Sequence, residues 1–398
     1  MFKRIICKIE RYIVNHTKAK DNYIVFESAE HHIFDNSYYL YKYFKNNKKL
    51  KLFYVVYNND EVKEAKSKKI PKRNVLLIDD SINVHTLKTA YRVLRTKKIL
   101  RKCSLCFISY RNFYKEFKIK FYNNQTLVNL RHGQFPIKNV TNYYKSLLFN
   151  YDANVYFRVG TEESISRLPY ELKELNCKWF GAGMPRCDCL KDYVYDKFLK
   201  VLDRDFVNKE TRIYLSMTTF RNNSADEYFK TQFPIKVNDK ELESLNKFLI
   251  ENNSLFIIKV HHDNVIYSND RIFYSNIILI DDNNLEKNGL FVNDVLQYVN
   301  MLITDFSSVL FDYFYFDKPI AFITVDIDNY QKTRGLYNTD FLNIGPHINN
   351  IGDLKKAISS NINSVDIYKD KRTTFSNLYN GINSLSGCEQ ISNIFLKR

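Results

Sequence analysis

The sequence contains no run of about 18 apolar residues, the length that a helix needs to cross a bilayer. The first residues also lack the continuous apolar stretch of a signal peptide. The seven cysteines are an odd number, are spread along the chain and do not form the paired pattern of a disulfide framework. These absences predict a cytosolic protein with reduced thiols and no membrane-spanning helix.

A metal-ligand pattern is missing as well. Cys103 and Cys106 have the spacing of half a zinc site, but the nearest histidines and cysteines do not repeat a ligand spacing. Buried or unused thiols are therefore the favoured interpretation, and we expect no metal site and no bound cofactor. A requirement for a divalent cation is left open, because no acidic cluster clearly offers a site for one.

The chain has no Gly/Ser-rich linker, no low-complexity tract and no repeat of fixed period. Its 398 residues, 45% of them hydrophobic, are enough for two ordinary domains. Residues 190–210 are charged and helix-prone, so we expect two closely apposed domains rather than a flexible string. The first is expected over residues 22–205 and the second over 206–398, with the last helix able to pack back on the first.

Positive charge is present in excess, with 60 Lys and Arg against 44 Asp and Glu and a formal net charge of +16. Such a balance predicts anionic partners such as nucleotides, phosphorylated polymers, nucleic acid or an acidic membrane. Nucleic acid is not favoured, because the cations are dispersed and no basic-aromatic motif is recognisable. Residues 1–21 predict a basic amphipathic helix, which either lies on an anionic membrane or packs on its own domain.

Short apolar runs alternate with helical segments along the chain, which predicts βαβ units around parallel sheets. A continuous helix is expected over residues 162–175. Strands are expected at 23–26, 52–56, 75–78, 105–109, 126–130, 155–159, 212–216, 255–260, 277–280, 301–304 and 319–323. Two such domains leave a cleft where the carboxyl ends of both sheets converge, so the residues just after strands are the candidate site residues.

The stretch from Met301 to Tyr313 predicts a buried strand that turns into a helix, with Asp305, Ser307 and Ser308 at the turn. Backbone N–H groups and hydroxyls at a helix N-terminus attract phosphate, so this turn is a candidate diphosphate site. A plain N-cap is the alternative. Asp305 does not favour phosphate by charge, so we expect it to accept a hydrogen bond from a hydroxyl or to fix neighbouring donors.

Histidines follow two other expected strands. His261 and His262 come after residue 260, and a histidine there can bond phosphate or transfer a proton. His132 lies two residues after Leu130 and is flanked by Arg131 and Gly133, so a functional role and a structural role are both open for it.

Two cations, Lys138 and Arg334, are further candidate site residues. Lys138 follows His132 at a short distance along the chain. Arg334 and Gly335 lie in a turn beyond the strand at 319–323. An arginine matches phosphate oxygens there and a glycine allows close backbone approach, although a solvated surface turn is the alternative.

In their order along the chain, these features resemble the CDP-glycerol glycerophosphotransferase family, which primes and extends teichoic acids and related capsules. Val25-Phe26-Glu27-Ser28 and Asp35-Asn36 also resemble the family's first strand and loop, so the resemblance covers about residues 22–340. The matching motifs are His132-Gly133 with Pro136 and Lys138, Gly183-Met184-Pro185-Arg186, Thr219-Phe220-Arg221, Lys259-x-His261, Thr304-Asp305-Phe306-Ser307-Ser308 and Arg334-Gly335-Leu336-Tyr337.

The resemblance implies a GT-B-like α/β fold, with two facing Rossmann-type domains, parallel sheets and an active-site cleft between them. It implies transfer of a polyol phosphate, glycerol phosphate in the first place, from CDP-glycerol or CDP-ribitol to a hydroxyl of a lipid-linked or polymeric acceptor, with release of CMP. The enzyme would be cytoplasmic and peripheral on the anionic inner face of the cell membrane. A GT-B glycosyltransferase that uses a nucleotide sugar shares the fold and is the alternative.

Residue roles follow from the resemblance alone. His132 is implied as the acid–base residue near the acceptor hydroxyl, and His261 as a second catalytic residue that contacts the donor. Arg131, Gly133 and Lys138 are expected on the acceptor side. Nucleotide or phosphate contacts are implied for Thr219, Arg221, Asp305, Ser307, Ser308, Arg334 and Gly335.

The chain departs from the family pattern beside these residues. Arg131 stands where Trp is common, His262 where Pro is common, and Cys187 where Asn is usual. Met217-Thr218 replaces an apolar residue and Pro. These changes bear on the identity of the substrate more than on the class of reaction.

Overall fold

The computed structural model describes residues 12, 16–27, 33–78, 87–109, 124–131, 133–148, 154–190, 193–219, 233–260, 274–381 and 386–396. The chain forms two compact units. The first unit comprises Met1–Gln134, Val140–Asp188 and Asn383–Arg398, and the second comprises Phe135–Asn139 and Cys189–Ile382. Residues 189–205, expected in the first domain, therefore group with the second unit, and the last segment of the chain groups with the first.

The first unit contains a sheet of seven described strands, all paired in parallel, in the order β3-β2-β1-β4-β5-β6-β7. The order of its first six strands is that of doubly wound nucleotide-binding domains. The strands are β1 Lys20–Glu27, β2 Lys51–Val56, β3 Val75–Leu77, β4 Cys103–Ile108, β5 Thr126–Asn129, β6 Asn154–Val159 and β7 Lys178–Gly181.

Helices connect these strands, as the alternating pattern predicts. The expected continuous helix over 162–175 is wrong, because Pro169 has no N–H to donate and separates two short helices. Its predicted start is confirmed, since the Thr161 side chain caps the Ser164 N–H at 2.9 Å. The helices are α1 Asp35–Phe44, α2 Asn59–Ser67, α3 Leu87–Lys102, α4 Thr141–Leu148, α5 Glu162–Ser166 and α6 Tyr170–Lys173, with 3₁₀ turns at Lys72–Asn74 and Pro185–Cys189.

The second unit contains a sheet of six described parallel strands in the order β10-β9-β8-β11-β12-β13. The strands are β8 Arg212–Ser216, β9 Ser254–Lys259, β10 Ile277–Ile280, β11 Met301–Thr304, β12 Ile320–Ile323 and β13 His347–Ile348. The helices are α7 Tyr195–Leu202, α8 Asp239–Glu251, α9 Asp282–Glu286, α10 Val292–Val295, α11 Val309–Tyr313, α12 Ile327–Thr333, α13 Ile351–Ile362 and α14 Lys369–Asn380, with 3₁₀ turns at Leu296–Tyr298, Phe314–Phe316 and Asp340–Ile344.

Each unit has its own hydrophobic core around its sheet. In the first, Phe26 lies between the rings of Tyr54 and Phe107, at centroid distances of 6.4 and 5.5 Å. In the second, every residue of β9 and β11 is buried, as expected for central parallel strands covered on both faces. Full burial of one such large apolar side chain stabilises the fold by about 1.5–3 kcal/mol.

The last described helix, α15, spans Gly387–Phe395 and completes the core of the first unit. The Phe395 ring lies 5.1 Å from Phe180 and 5.2 Å from Tyr156. The Asp188 carboxylate accepts the N–H groups of Gly387 and Cys388 at 2.8 and 2.9 Å, which fixes the start of the helix. Among the described helices, none is both long and apolar enough to span a membrane.

Candidate active site

The turn after β11 is tied to the turn after the neighbouring strand β8. Asp305 is fully buried, and its carboxylate accepts hydrogen bonds from the Thr219 N–H at 2.9 and 3.0 Å and from the Thr219 hydroxyl at 3.0 Å. The Thr304 hydroxyl donates to the Met217 carbonyl at 2.7 Å. The prediction that Asp305 accepts a bond from a hydroxyl is confirmed, and the structure brings Thr219 and Asp305 together.

Ser307 and Ser308 lie half-buried at the start of α11. Ser308 is the N-cap residue, but its side chain makes no capping hydrogen bond. The Ser307 hydroxyl accepts the Val309 N–H at 3.5 Å, a weak contact. The alternative of a plain serine N-cap is therefore not what the structure shows. The helix ends at Tyr313, and the 3₁₀ turn Phe314–Phe316 follows it.

Arg334 and Gly335 form the turn that ends α12. The Tyr330 carbonyl accepts their N–H groups at 2.9 and 3.2 Å, and the Arg334 side chain is exposed. Gly335 has φ of +74°, a left-handed conformation that a residue with a Cβ adopts only with strain. The backbone conformation of this turn therefore explains why a glycine follows the exposed arginine.

An aromatic pair connects these two turns. Phe306, between Asp305 and Ser307, is buried against Tyr330 with ring centroids 4.6 Å apart. Tyr330 in turn holds the Arg334 backbone. The turn that carries the two serines and the helix that ends at Arg334 are therefore packed against each other within the second unit.

Lys138 also joins this group. Residues 135–139 belong to the second unit, where Lys138 forms an antiparallel bridge with Leu336. The Asn139 N–H donates to the Gly335 carbonyl at 3.1 Å, and the Tyr337 N–H donates to the Ile137 carbonyl at 2.9 Å. Lys138, expected on the acceptor side, lies in the structure beside the Arg334 turn.

In the first unit, Arg131 has φ of +55° and a buried side chain at the carboxyl end of β5. Its N–H donates to Asn129 Oδ1 at 2.9 Å, and its guanidinium lies 5.7 Å from the Tyr144 ring centroid. The guanidinium also donates to the Arg158 carbonyl at 3.3 Å. Arg131 thus packs its flat guanidinium on an aromatic ring.

Arg158, which the sequence did not indicate as a site residue, holds the turn of residues 130–134 that follows β5. Arg158, in β6, is fully buried, and its guanidinium donates to the carbonyls of Leu130 at 2.7 Å and Gly133 at 3.1 Å. It also donates to the Ala182 carbonyl at 2.9 Å and to Gln134 Oε1. A signal was available, since Arg158 is the one cation within the strand Asn154–Val159.

Asn36 holds the turn from another side. Its amide donates to the Arg131 carbonyl at 2.6 Å and accepts the Arg186 N–H at 3.1 Å. The neighbouring Asp35, with φ of +68°, pairs with Arg186 at 2.6 Å, and both side chains are buried. Asp35 and Asn36 carried the resemblance to the family, but no role had been expected for them.

Two amide groups of this turn carry a cost. Among the described residues, the buried Asn129 Nδ2 and Gln134 Nε2 have no hydrogen-bond partner. The oxygens of both amides are engaged, by the Arg131 N–H and by Arg158, which fixes the orientation of each amide. A buried donor without a partner costs about 1–3 kcal/mol, a cost typical of functional sites.

His132, Arg221 and His261 lie outside the described residues, as does His262. Lys259, two residues before His261, is buried, pairs with Asp282 at 3.0 Å and donates to the Val260 carbonyl at 2.6 Å. Within the described ranges, no group of three or more His, Cys, Asp or Glu is placed to hold a metal. Cys103 and Cys106 are buried, and burial raises the pKa of the Cys103 thiol to about 12.

The chain is similar to proteins of teichoic acid synthesis. It is 27% identical over 292 residues to the teichoic acid glycerol-phosphate primase of Bacillus subtilis, across 71% of this chain and 69% of the primase. It is 27% identical over 175 residues to the teichoic acid ribitol-phosphate polymerase TarL of Staphylococcus aureus, across 42% of this chain and 28% of the polymerase. A solved structure of a variant of the wall teichoic acid polymerase TagF matches with a TM-score of 0.69 at 19% identity, over 98% of this chain and 92% of that one.

The likeness to TagF confirms the predicted GT-B-like α/β fold with two Rossmann-type domains. The profile of the CDP-glycerol:poly(glycerophosphate) glycerophosphotransferase family matches residues 10–396. The predicted reaction class, transfer of a polyol phosphate from a CDP-polyol in teichoic acid synthesis, is confirmed at the level of the family. The chain therefore belongs to the CDP-glycerol:poly(glycerophosphate) glycerophosphotransferase family.

Proposed function

We propose that this chain transfers glycerol phosphate from CDP-glycerol to a hydroxyl of a lipid-linked or polyol-phosphate acceptor and releases CMP. The observation that carries the proposal is the packing of Phe306 on Tyr330, which joins the turn that carries Ser307 and Ser308 to the helix that ends at Arg334. Glycerol is favoured over ribitol because the similarity to a glycerol-phosphate primase extends over 71% of the chain.

The reaction needs an oxygen nucleophile and charge neutralisation. The acceptor oxygen forms a bond to the β-phosphorus of the donor, the bond from that phosphorus to the bridging oxygen breaks, and CMP leaves with that oxygen. The hydroxyl proton passes to His132, which acts as the base. Phosphoryl transfer depends mainly on positioning and on stabilising charge on the phosphate oxygens.

Donor-side roles follow from the chemistry of the side chains. Arg334 is permanently charged and exposed, so its guanidinium can bind and neutralise phosphate oxygens. Ser307 and Ser308 donate hydroxyl hydrogen bonds to the same group, and His261 adds a third kind of donor. Asp305 is held by Thr219, so its role on this side is to orient the turn that carries the serines.

Membrane attachment is part of the proposal. Lys18, Lys20, Lys98 and Lys102 line one groove of the first unit together with His16. Several lysines on one surface are attracted to an anionic lipid leaflet. This attraction weakens as salt screens the charges. Flotation with phosphatidylglycerol vesicles should recover the protein at low salt and lose it at high salt; absence of flotation at low salt would count against attachment.

The donor is tested by measuring which nucleotide is released from CDP-glycerol, CDP-ribitol and UDP-sugars with a polyol-phosphate acceptor present. CMP from CDP-glycerol is expected, and Arg334→Ala should lower kcat/KM on the order of 10²-fold. Lys332→Ala is the matched control, because it removes an exposed cation two residues away. Release of UDP from a UDP-sugar, with no CMP, would contradict the proposal and favour a glycosyltransferase.

A further inference from the structure

Two side chains of the first unit hold the backbone on both sides of His132. Arg158 binds the carbonyls of Leu130 and Gly133, and Asn36 binds the carbonyl of Arg131. These three residues lie immediately before and after His132 along the chain. Their carbonyls are therefore fixed from two different elements, β6 and the start of α1.

The guanidinium of Arg158 suits this task in a way that lysine does not. Its planar fork directs separate N–H groups to Leu130, Gly133 and Ala182 at 2.7 to 3.1 Å. A lysine ammonium is a single point and cannot span carbonyls from two turns at once. The buried position also keeps water from competing for these carbonyls.

The turn after β5 and the residues that hold it have features that cost stability. Arg131 and Asp35 both have positive φ values, Arg158 is a charge without solvent exposure, and two buried amide groups lack partners among the described residues. A turn that only led the chain out of β5 has no need of these features. Strain of this kind persists where geometry serves function.

We infer that Arg158 and Asn36 are positioning residues for the acid–base chemistry at His132, an inference that rests on the proposed function. Both side chains are fully buried, so we assign them a role through the backbone rather than through contact with the substrate. They fix the carbonyls of Leu130, Arg131 and Gly133, which flank His132 along the chain, so we expect their loss to act on the transfer step and not on donor binding. Misplacement of a reacting group by about 1 Å costs on the order of 10²-fold in rate.

The test is a double-mutant cycle read as kcat for CMP release from CDP-glycerol. Arg158→Lys should lower kcat on the order of 10²-fold and leave the KM for CDP-glycerol within about twofold of wild type. In a His132→Ala background, the same substitution should cause no further loss, because its effect passes through the missing imidazole.

Asn36→Asp supplies a second variant in case Arg158→Lys does not fold. The carboxylate retains an acceptor for the Arg186 N–H and loses the donor to the Arg131 carbonyl. It should lower kcat about 10-fold in the wild-type background and not in the His132→Ala background. Loss of equal size in both backgrounds would overturn the inference for Asn36.

Arg372→Lys is the matched control for loss of a buried arginine. Arg372 is 2% exposed, lies in the second unit and binds Asp366 at 2.7 and 3.1 Å. Its substitution should lower the melting temperature and leave kcat unchanged. An equal fall in kcat for Arg372→Lys and Arg158→Lys would overturn the inference, because any buried arginine would then do the same.

The failure of this inference differs from failure of the proposed function. If wild-type protein releases no CMP from CDP-glycerol, the proposed function is wrong. If His132→Ala keeps wild-type turnover, the base assignment is wrong and the inference is overturned with it. If His132→Ala loses turnover but Arg158→Lys and Asn36→Asp remain at wild-type kcat, the inference alone is wrong.

Discussion

The rings of Phe306 and Tyr330 lie 4.6 Å apart at an interplanar angle of 35°, and both side chains are buried. Phe306 belongs to the turn after β11, and Tyr330 belongs to α12, whose end carries Arg334. The contact therefore fixes the position of the turn that carries the serines relative to the helix that ends at Arg334. A donor phosphate would then meet a preorganised set of groups.

Phe306→Leu removes the ring contact while keeping an apolar side chain. We expect a stability loss of about 1–1.5 kcal/mol and a rise of about 5-fold or more in the KM for CDP-glycerol, because the two turns are no longer held in one arrangement. Initial-rate kinetics and urea unfolding measure the two effects. Phe314→Leu, at another buried phenylalanine of the same unit, should cost similar stability without changing KM. Equal KM changes in both variants would refute the link.

Gly335→Ala tests the left-handed turn beside Arg334. A Cβ would lie 3.4 Å from the Asn139 Cβ, an ordinary contact, so the cost comes from the φ of +74° and should be about 1–2 kcal/mol. The turn should shift and the KM for CDP-glycerol should rise about 5-fold.

Gly289→Ala is the control for that strain, since Gly289 has φ of +66° and a Cβ there would make an ordinary contact with Lys197 Nζ at 3.9 Å. It should lose similar stability with unchanged kinetics. A rise in KM for Gly289→Ala as large as that for Gly335→Ala would show that the kinetic effect is general destabilisation.

Asp305→Asn tests the bond between the two strand-end turns. The amide presents an NH₂ group to one of the two Thr219 donors, so a charge-assisted hydrogen bond is lost and we expect about 1.5–3 kcal/mol of destabilisation in urea unfolding. Thr219→Val should lose part of this, and Thr219→Ser, which keeps the hydroxyl, should lose less. Equal stability of the Val and Ser variants would contradict a role for the hydroxyl.

The lowered pKa of Lys318 should make the stability of the fold depend on pH. Burial lowers the pKa of its ammonium from 10.5 to about 8, while the group donates to the Val299 carbonyl at 2.8 Å. Because the unfolded chain binds more protons at this lysine between those two values, stability should rise with pH from about pH 8 to about pH 10.

The measurement compares urea unfolding of wild-type protein and Lys318→Met across that range. The free energy of unfolding of wild type minus that of the variant should increase with pH, since the variant lacks the titrating group. Other groups that titrate in this range are common to both proteins and cancel. A difference that stays constant or falls with pH would refute the lowered pKa.

Strands with continuous apolar runs were predictable to the residue, as at 212–216, 277–280 and 301–304. Such short, mostly apolar runs are typical of strands in a parallel sheet that is covered on both faces. The edge strands β7 and β13 were missed, because Lys178–Gly181 is partly exposed and His347–Ile348 has only two residues. The break at Pro169 was missed because helical spacing of apolar residues outweighed the missing N–H.

The candidate site was predictable in its residue types and not in its contacts. The charge of Asp305 indicated a donor as partner, but Thr219 is 86 residues away along the chain and only the sheet order brings it near. Arg158 was missed because a cation in a strand predicts an exposed face. Its buried place depends on carbonyls from turns that become neighbours only in the folded unit.

The helix Gly387–Phe395 packs its final phenylalanine onto Phe107 of β4 and Phe180 of β7, while residues 189–382 form most of the other unit. As the chain leaves the ribosome, the second unit is the first to have its whole sequence available. The first unit, whose sheet is synthesised earliest, waits for the last helix before its aromatic core is covered. The domain that is translated first is therefore the one that is completed last.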